Sequence, residues 1–286
     1  MIFRTLFCGT LFNGVEIGVL VQAFFFILDL FLALLSSLNL LSPWSITLLA
    51  FPSKPYLSTI YSVPMLILRP EERTKLDRAN DSDFYAFPRF VSHVDANFID
   101  QLNNLYRDRL KPQSRILDLM SSWVSHLPKE MEFAHVEGHG MNVEELAKNP
   151  RLNHYFVQNL NQSPQLPLAD EDFDTVLIAV SVQYLEYPEA IFSEIHRILK
   201  PNGIVIVSFS NRMFYQKAIA TWREGTDLSH LQLVKSYFQS IPNFSQPEII
   251  SKYNPLPNFL QMLGITSSDP FYAVIASKIT KEKAIG

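Results

Sequence analysis

Residues 173–210 carry the most restrictive pattern in the chain: "FDTVLIAVSV", then "PEAIFSEIHRILK", then "PNG", then "GIVIVSFS". The first run (173–182) is almost continuously apolar, as a strand must be when both of its faces are covered. The second (188–200) spaces its apolar residues for one helical face. It opens on Pro188 and places Arg197 and Lys200 in its last turn, where cations suit the helix dipole. Pro201-Asn202-Gly203 stops that helix, and 203–210 reads as a second buried strand. A strand, a helix and a strand so closely joined form a parallel crossover unit.

The same alternation extends either side. A helix is expected over 97–110, strands over 115–119 and 133–138, and a helix over 141–152. That last helix has Asn142 as N-cap, with Glu145 three residues on as in a capping box. A third strand is expected at 154–160, helices at 212–223 and 228–238, and closing strands at 248–253 and 271–279. The pattern predicts an α/β fold: a doubly wound, mostly parallel sheet with helices on both faces. Ligands of such sheets bind beyond the carboxyl ends of the strands. Attention therefore falls on residues 120–125, 138–142, 159–161, 181–184 and 210–212.

Three regions are expected: an apolar segment over 1–50, a linker over 51–80, and the α/β domain over 81–286. The run "IGVLVQAFFFILDLFLALLSSLNLL" (17–41) is long enough to cross a bilayer as a helix. Its one charge, Asp29, costs roughly 2.5–3.5 kcal/mol on the insertion scale. Each Leu, Ile, Phe or Val returns roughly 0.3–0.6, so the sum favours insertion. The length exceeds a usual signal-peptide core, and an uncleaved anchor is the expectation. The residues also admit a buried helical hairpin, or a segment read from a start codon placed too far upstream. Prolines 52, 55, 64 and 70 break the stretch that follows.

With 286 residues, 48 % hydrophobic and 18 % charged, the chain has ample material for a core. A net charge of −4 without a basic stripe argues against nucleic acid as a partner. The lone Cys8 excludes an internal disulfide framework and fits a reducing compartment. The seven histidines are scattered without metal-ligand spacing, so no protein-bound metal is expected.

The segment "LPLADEDFDTVLIAVSVQYLEYPEAIFSEIHRILKPNGIVIVSFSNR" (166–212) resembles the core of class I S-adenosylmethionine-dependent methyltransferases, especially the type 11 group. That family writes its fourth strand after "FD", here Phe173-Asp174, and ends the next helix in "LKPGG", here "LKPNG". "DLMSSWVSHLP" and "GMNVEELAKNP" resemble the wording of a bacterial and plastid-lineage branch. The likeness covers about 114–278. It implies S-adenosylmethionine as cofactor, with Asp118 at the acid of the family's first motif. Met120, Ser122 and Val124 stand where that motif's glycines would be, with Ser121 between them. Gly140, with Gly138 before it, stands where the family usually has an acid for the ribose hydroxyls. Asn142 is positioned for the adenosine side, and Asn159 or Asn161 replaces the usual Asp near the adenine amine. Ser181 follows the fourth strand, where the family contacts cofactor and substrate.

Candidate catalytic groups are His126, Gln183 and Tyr184. His139 is a candidate ligand contact, Trp123 a candidate pocket wall, and Asn211 with Arg212 a candidate hold on an anionic acceptor. The expected function is methyl transfer from S-adenosylmethionine to a small or lipid-like acceptor. The domain would lie in the cytoplasm or a plastid-like reducing compartment, tethered to a membrane by one N-terminal helix. Without that segment it would be cytoplasmic. The alternative is a catalytically inactive relative that keeps the fold for binding or assembly.

Overall fold

The computed structural model describes residues 67–252 and 268–280. The apolar run 17–41 lies outside them. Among the described residues no helix is long and apolar enough to cross a membrane. In chain order the elements are α1 (Asp81–Phe84), α2 (Ala96–Arg109), β1 (Arg115–Leu119), β2 (His135–Gly140), α3 (Val143–Ala147), β3 (His154–Val157) and β4 (Phe173–Ala179). Then come α4 (Pro188–Ile198), β5 (Leu199–Phe209), α5 (Ala220–Arg223), α6 (Asp227–Gln239), β6 (Glu248–Lys252) and β7 (Phe271–Ser277). The sheet order is β3-β2-β1-β4-β5-β7-β6. β1 to β5 pair in parallel, while β7 enters antiparallel between β5 and β6. This is the Rossmann-like sheet expected of a methyltransferase fold.

Strand periodicity divides the core into two layers. Leu117, Leu119, Val176, Ile178, Val205 and Val207 point to one face, under α4 and α6. Their alternates Ile116, Leu177 and Ile206 point to the other face, under Phe98, Leu102 and Tyr106 of α2. Both faces are dry, so the central strands read as unbroken apolar runs. Asp95 opens α2 by accepting from the Phe98 amide at 2.8 Å.

The connection from β1 to β2 (120–134) contains no helix. The structure departs from the sequence expectations at several points. Residues 212–219 are largely irregular, so only Ala220–Arg223 of the expected helix over 212–223 forms. The helix after β2 is one short turn-and-a-half. Asn142 caps it, but Glu145 does not complete the capping box, because its carboxylate serves other donors. Finally, residues 67–80, expected within a linker, pack onto the domain: Leu68 joins the core, and Arg73 and Lys75 are buried.

Buried charge holds that segment. Arg73 bonds the Leu68 carbonyl (3.0 Å) and pairs with Glu189 at the start of α4. Lys75 binds Asp81 at 2.6 Å and Glu186 at 3.0 Å. Lys217, wholly buried, reaches Asp77 at 3.0 Å, Asp81 at 3.3 Å and the Ala79 carbonyl at 2.9 Å. Breaking a buried pair from one side strands the other charge. Arg73→Ala is therefore expected to lower the unfolding free energy by about 3–5 kcal/mol, read from the midpoint of urea denaturation. An unchanged midpoint would show that the segment is not anchored in this way.

Candidate functional site

Asp118, the residue before the last of β1, is almost completely buried (3 % exposed). Ser121 donates to it at 2.5 Å, and the Ser125 hydroxyl also bonds it. No cation pairs with it among the described residues, and burial lifts its pKa to about 6. Beyond β1 the chain does not turn into a helix but stays beside β2. The Ser121 amide donates to the His139 carbonyl at 2.6 Å. The Met120 amide donates to His139 Nδ1 at 3.1 Å. His139 Nδ1 is therefore unprotonated, and its Nε2 carries the proton toward the Gln158 carbonyl at 2.9 Å. Burial holds this imidazole neutral, with a pKa of about 4.

The same close approach explains Gly140 at the end of β2. A Cβ there would lie 2.5 Å from the Ser121 carbonyl oxygen, a backbone atom with little freedom to move. With the loop in this place, no acid fits at that position. Farther along the loop, Asn149 donates to the Ser122 carbonyl (2.9 Å) and to Ser125 Oγ (2.8 Å). Side chains thus hold the segment that helical hydrogen bonds hold elsewhere.

A cleft opens above the carboxyl ends of β1 to β4. Asp118, Met120, Ser121, Ser122, Gly140, Asn142, Asn159 and Ser181 all line it, as do His126 and Tyr184. Gly138 and Gln183 do not. Gly138 faces Leu152, whose side chain a Cβ would meet at 2.3 Å. Gln183 is buried and bonds the Val180 carbonyl at 3.0 Å. Three non-glycine residues of the cleft adopt positive φ: Met120 (60°), His126 (50°) and the β-branched Val180 (56°). Such strain persists where surrounding structure over-determines the backbone, and it gathers at functional sites.

Several expected contacts are already committed within the protein. Asn142 Oδ1 caps α3 through the Glu144 and Glu145 amides, and its Nδ2 holds the Tyr85 and Ala86 carbonyls. Asn161 donates to Asp81 and to the Tyr184 carbonyl, both at 3.0 Å. Arg212 is paired with Asp269 at 2.7 Å and does not line the cleft. His139 is the bridge described above. Ser181 differs from all of these: it lines the cleft, and its buried Oγ has no hydrogen-bond partner among the described residues.

Sequence reasoning missed the roof. Tyr85, Arg89, Val91 and His93, from the stretch between α1 and α2, and Phe214, after β5, complete the lining. The Arg89 amide donates to Glu145 at 2.6 Å, which also accepts from Ser122 Oγ at 2.6 Å. Trp123 Nε1 donates to the Val91 carbonyl at 3.2 Å, and Phe90 meets the Trp123 ring edge-on. The density of aromatics in "FYAFPRF" (84–90) is the one signal that marked this stretch.

Residues 129–207 match the family model described as a methyltransferase domain. The biotin biosynthesis bifunctional protein BioHC of Teredinibacter turnerae is 26 % identical over 130 residues. That match takes in 45 % of this chain and 21 % of the relative, so the chain spans about a fifth of the relative's length. A Mesorhizobium loti S-adenosylmethionine-dependent methyltransferase is 18 % identical, with a TM-score of 0.42, over 61 % of this chain and 96 % of that one. Phosphoethanolamine N-methyltransferase 2 of Haemonchus contortus, solved with S-adenosyl-L-methionine, is 15 % identical, with a TM-score of 0.43, over 63 % and 53 %.

Asp118 and His139 give opposite pH dependences. The folded state keeps the Asp118 proton up to about pH 6, while the unfolded chain releases it near 3.8. Its contribution to stability therefore falls as pH rises through that window. The folded state refuses a proton on His139 until about pH 4, while the unfolded chain accepts it near 6.5. That contribution falls as pH drops through 6.5 toward 4. The two largely offset in the native protein. Asp118→Asn is expected to stabilise the fold by roughly 1–3 kcal/mol above pH 6.5, since a tenfold change in proton affinity between folded and unfolded chain is worth about 1.4 kcal/mol. It should also steepen the loss of stability between pH 6.5 and 4, both read from denaturant midpoints across pH. Parallel pH curves for the two proteins would disprove the assignment.

Proposed function

We propose that this chain, whose fold is that of class I S-adenosylmethionine-dependent methyltransferases and whose residues 129–207 match a methyltransferase domain, binds S-adenosylmethionine in the cleft and transfers its methyl group. The observation that carries this reading is Asp118: a buried carboxylate at the tip of a central strand, facing a cleft, with hydroxyl donors but no cation. A buried anion of this kind attracts a positively charged ligand, because pairing offsets the cost of its desolvation. The unpartnered Ser181 Oγ in the same cleft fits a ligand that also brings polar groups. The residues present therefore suit this cofactor, except that no acid stands at Gly140 for the ribose hydroxyls.

The cofactor supplies an electrophilic methyl on sulfur, and its transfer is an in-line displacement that returns the bond pair to that sulfur. The chain's task is to orient and to exclude water. Asp118 meets the cationic part of the cofactor, while Ser121 and Ser125 keep the carboxylate aimed. The Met120–Ser122 backbone, pinned to β2 by His139, forms the floor that glycines form in relatives of the resembling family. His126, neutral at pH 7 because burial lowers its pKa, lines the cleft as the group able to take an acceptor proton. The apolar lining, from Met120 through Val124 to Phe214, suits a small or lipid-like acceptor. The apolar run 17–41 would tether the domain beside a bilayer that supplies such a molecule.

A second reading is a binding protein of the same fold that dispenses with the cofactor. The Ser121 carbonyl packed on Gly140, closing the position of the ribose acid, favours it. Calorimetric titration of S-adenosylmethionine into the full chain separates the two. Binding is expected to tighten as pH rises from 5 to 7.5, because Asp118 must be ionised to pair. Asp118→Asn should weaken it about ten- to hundredfold, as for a lost charge-assisted contact, and abolish the pH dependence. Gly140→Ala should weaken it as well, by displacing Ser121. Absence of binding to the native chain throughout this range would favour the second reading.

A further inference from the structure

Charge along the cleft is unevenly matched, and Arg89 is the group left over. Three carboxylates line it. Asp81 is paired with Lys75 and Lys217. Glu145 accepts from Ser122 and the Arg89 amide. Asp118 is the one that the proposed cofactor answers. On the positive side, Arg89 is the one lysine or arginine side chain among the described residues of the lining. It has no carboxylate partner there. Its guanidinium lies against three rings, 4.5 Å from the centroid of Phe84, 5.6 Å from Phe214 and 5.8 Å from Tyr85. The three rings stand steeply to one another and surround the cation, an arrangement that favours its charge without using its hydrogen-bond donors. One edge donor meets the Phe84 carbonyl at 2.8 Å, and a second makes only a long 3.5 Å contact to the Phe87 carbonyl.

An arginine held among aromatic rings, with no carboxylate partner and with guanidinium donors left over, suits an oxyanion. We infer that the methyl acceptor carries an oxyanion, a carboxylate or a phosphate monoester, on an apolar ring-sized body, with Arg89 holding the anion and Phe214 and Tyr85 the body. The inference rests on the reading of the cleft as a methyltransferase site. It places the acceptor's negative charge at the roof and the cofactor's positive charge at Asp118, so the two ligands enter one cleft without competing. Arg212, the arginine that follows β5, is already paired with Asp269 and has no share in this.

Phenylacetate, phenyl phosphate and the neutral phenylacetamide, titrated into the full chain with and without S-adenosylhomocysteine and followed by ligand-observed NMR, test it. At least one of the two anions should bind about tenfold or more tightly than the amide, and the arm that binds identifies carboxylate or phosphate. Arg89→Gln should erase that preference. Arg89→Lys, which keeps the charge but not the fork, should retain part of it and serves where the Gln variant does not fold. Equal binding of anions and amide, no binding of any probe, or a preference intact in Arg89→Gln overturns the inference. If the homocysteine analogue binds normally, such a result leaves the proposed function standing. An Arg89-dependent preference for anions in a chain that binds no analogue would instead support the oxyanion site and remove the methyltransferase reading.

Discussion

The Ser121 carbonyl and the end of β2 occupy almost the same space. A Cβ on Gly140 would come within 2.5 Å of that oxygen, so only glycine lets the loop after β1 lie flat beside β2. The rest of the site depends on this contact. With the loop held there, the Met120 and Ser121 amides reach His139, and His139 fixes the loop to β2 and to the Gln158 carbonyl. Ser121 then faces back onto Asp118. A glycine-rich turn followed by a helix would satisfy the same backbone groups internally. Here His139 and Asn149 satisfy them from outside.

The arrangement has an energetic cost that points to its use. Asp118 is desolvated without a cation, and Met120, His126 and Val180 hold a backbone conformation that L-residues avoid. Ser181 leaves a buried hydroxyl unanswered. Several such costs meet in this cleft, where ligand binding can relieve them. The ion pairs of Arg73, Lys75 and Lys217 show the opposite condition. Each of those buried charges meets its counter-charge, and together they fix the segment before α2 as the roof of the cleft. The roof in turn brings Arg89 over the site, far in sequence from every strand-end residue.

Much of the fold was legible. The run from Phe173 to Phe209 announced strand, helix and strand, and the structure gives β4, α4 and β5 there. The strand over 115–119 falls where expected, because a short run with Ile116, Leu117 and Leu119 apolar and one acid before its last residue fits no other element so well. The short elements were harder to read. The expected helix over 212–223 gives way to loop for most of its length, and the expected capping box at Asn142 is half used because Glu145 is drawn to Ser122 and Arg89. Local propensity had no rival visible in the sequence at those positions, whereas tertiary partners supplied one.

The site divides the same way. Asp118, the serines after it and Ser181 could be found from sequence, because strand ends in an open α/β sheet face the ligand whatever follows them. Whether Asn142, Asn161 or Arg212 was free to bind anything could not be found so. The Nδ2 of Asn142, the Nδ2 of Asn161 and the guanidinium of Arg212 are taken up by partners tens of residues away, and hydrogen-bond satisfaction is a property of the packed state. The sequence by itself determined a two-faced, mostly parallel sheet and the end at which its cleft opens, since strand and helix periodicities of two and 3.6 residues set the alternation of elements. Only the tertiary structure decided which polar groups remain unanswered there. That balance depends on which loops close over the strands, and no local pattern encodes it.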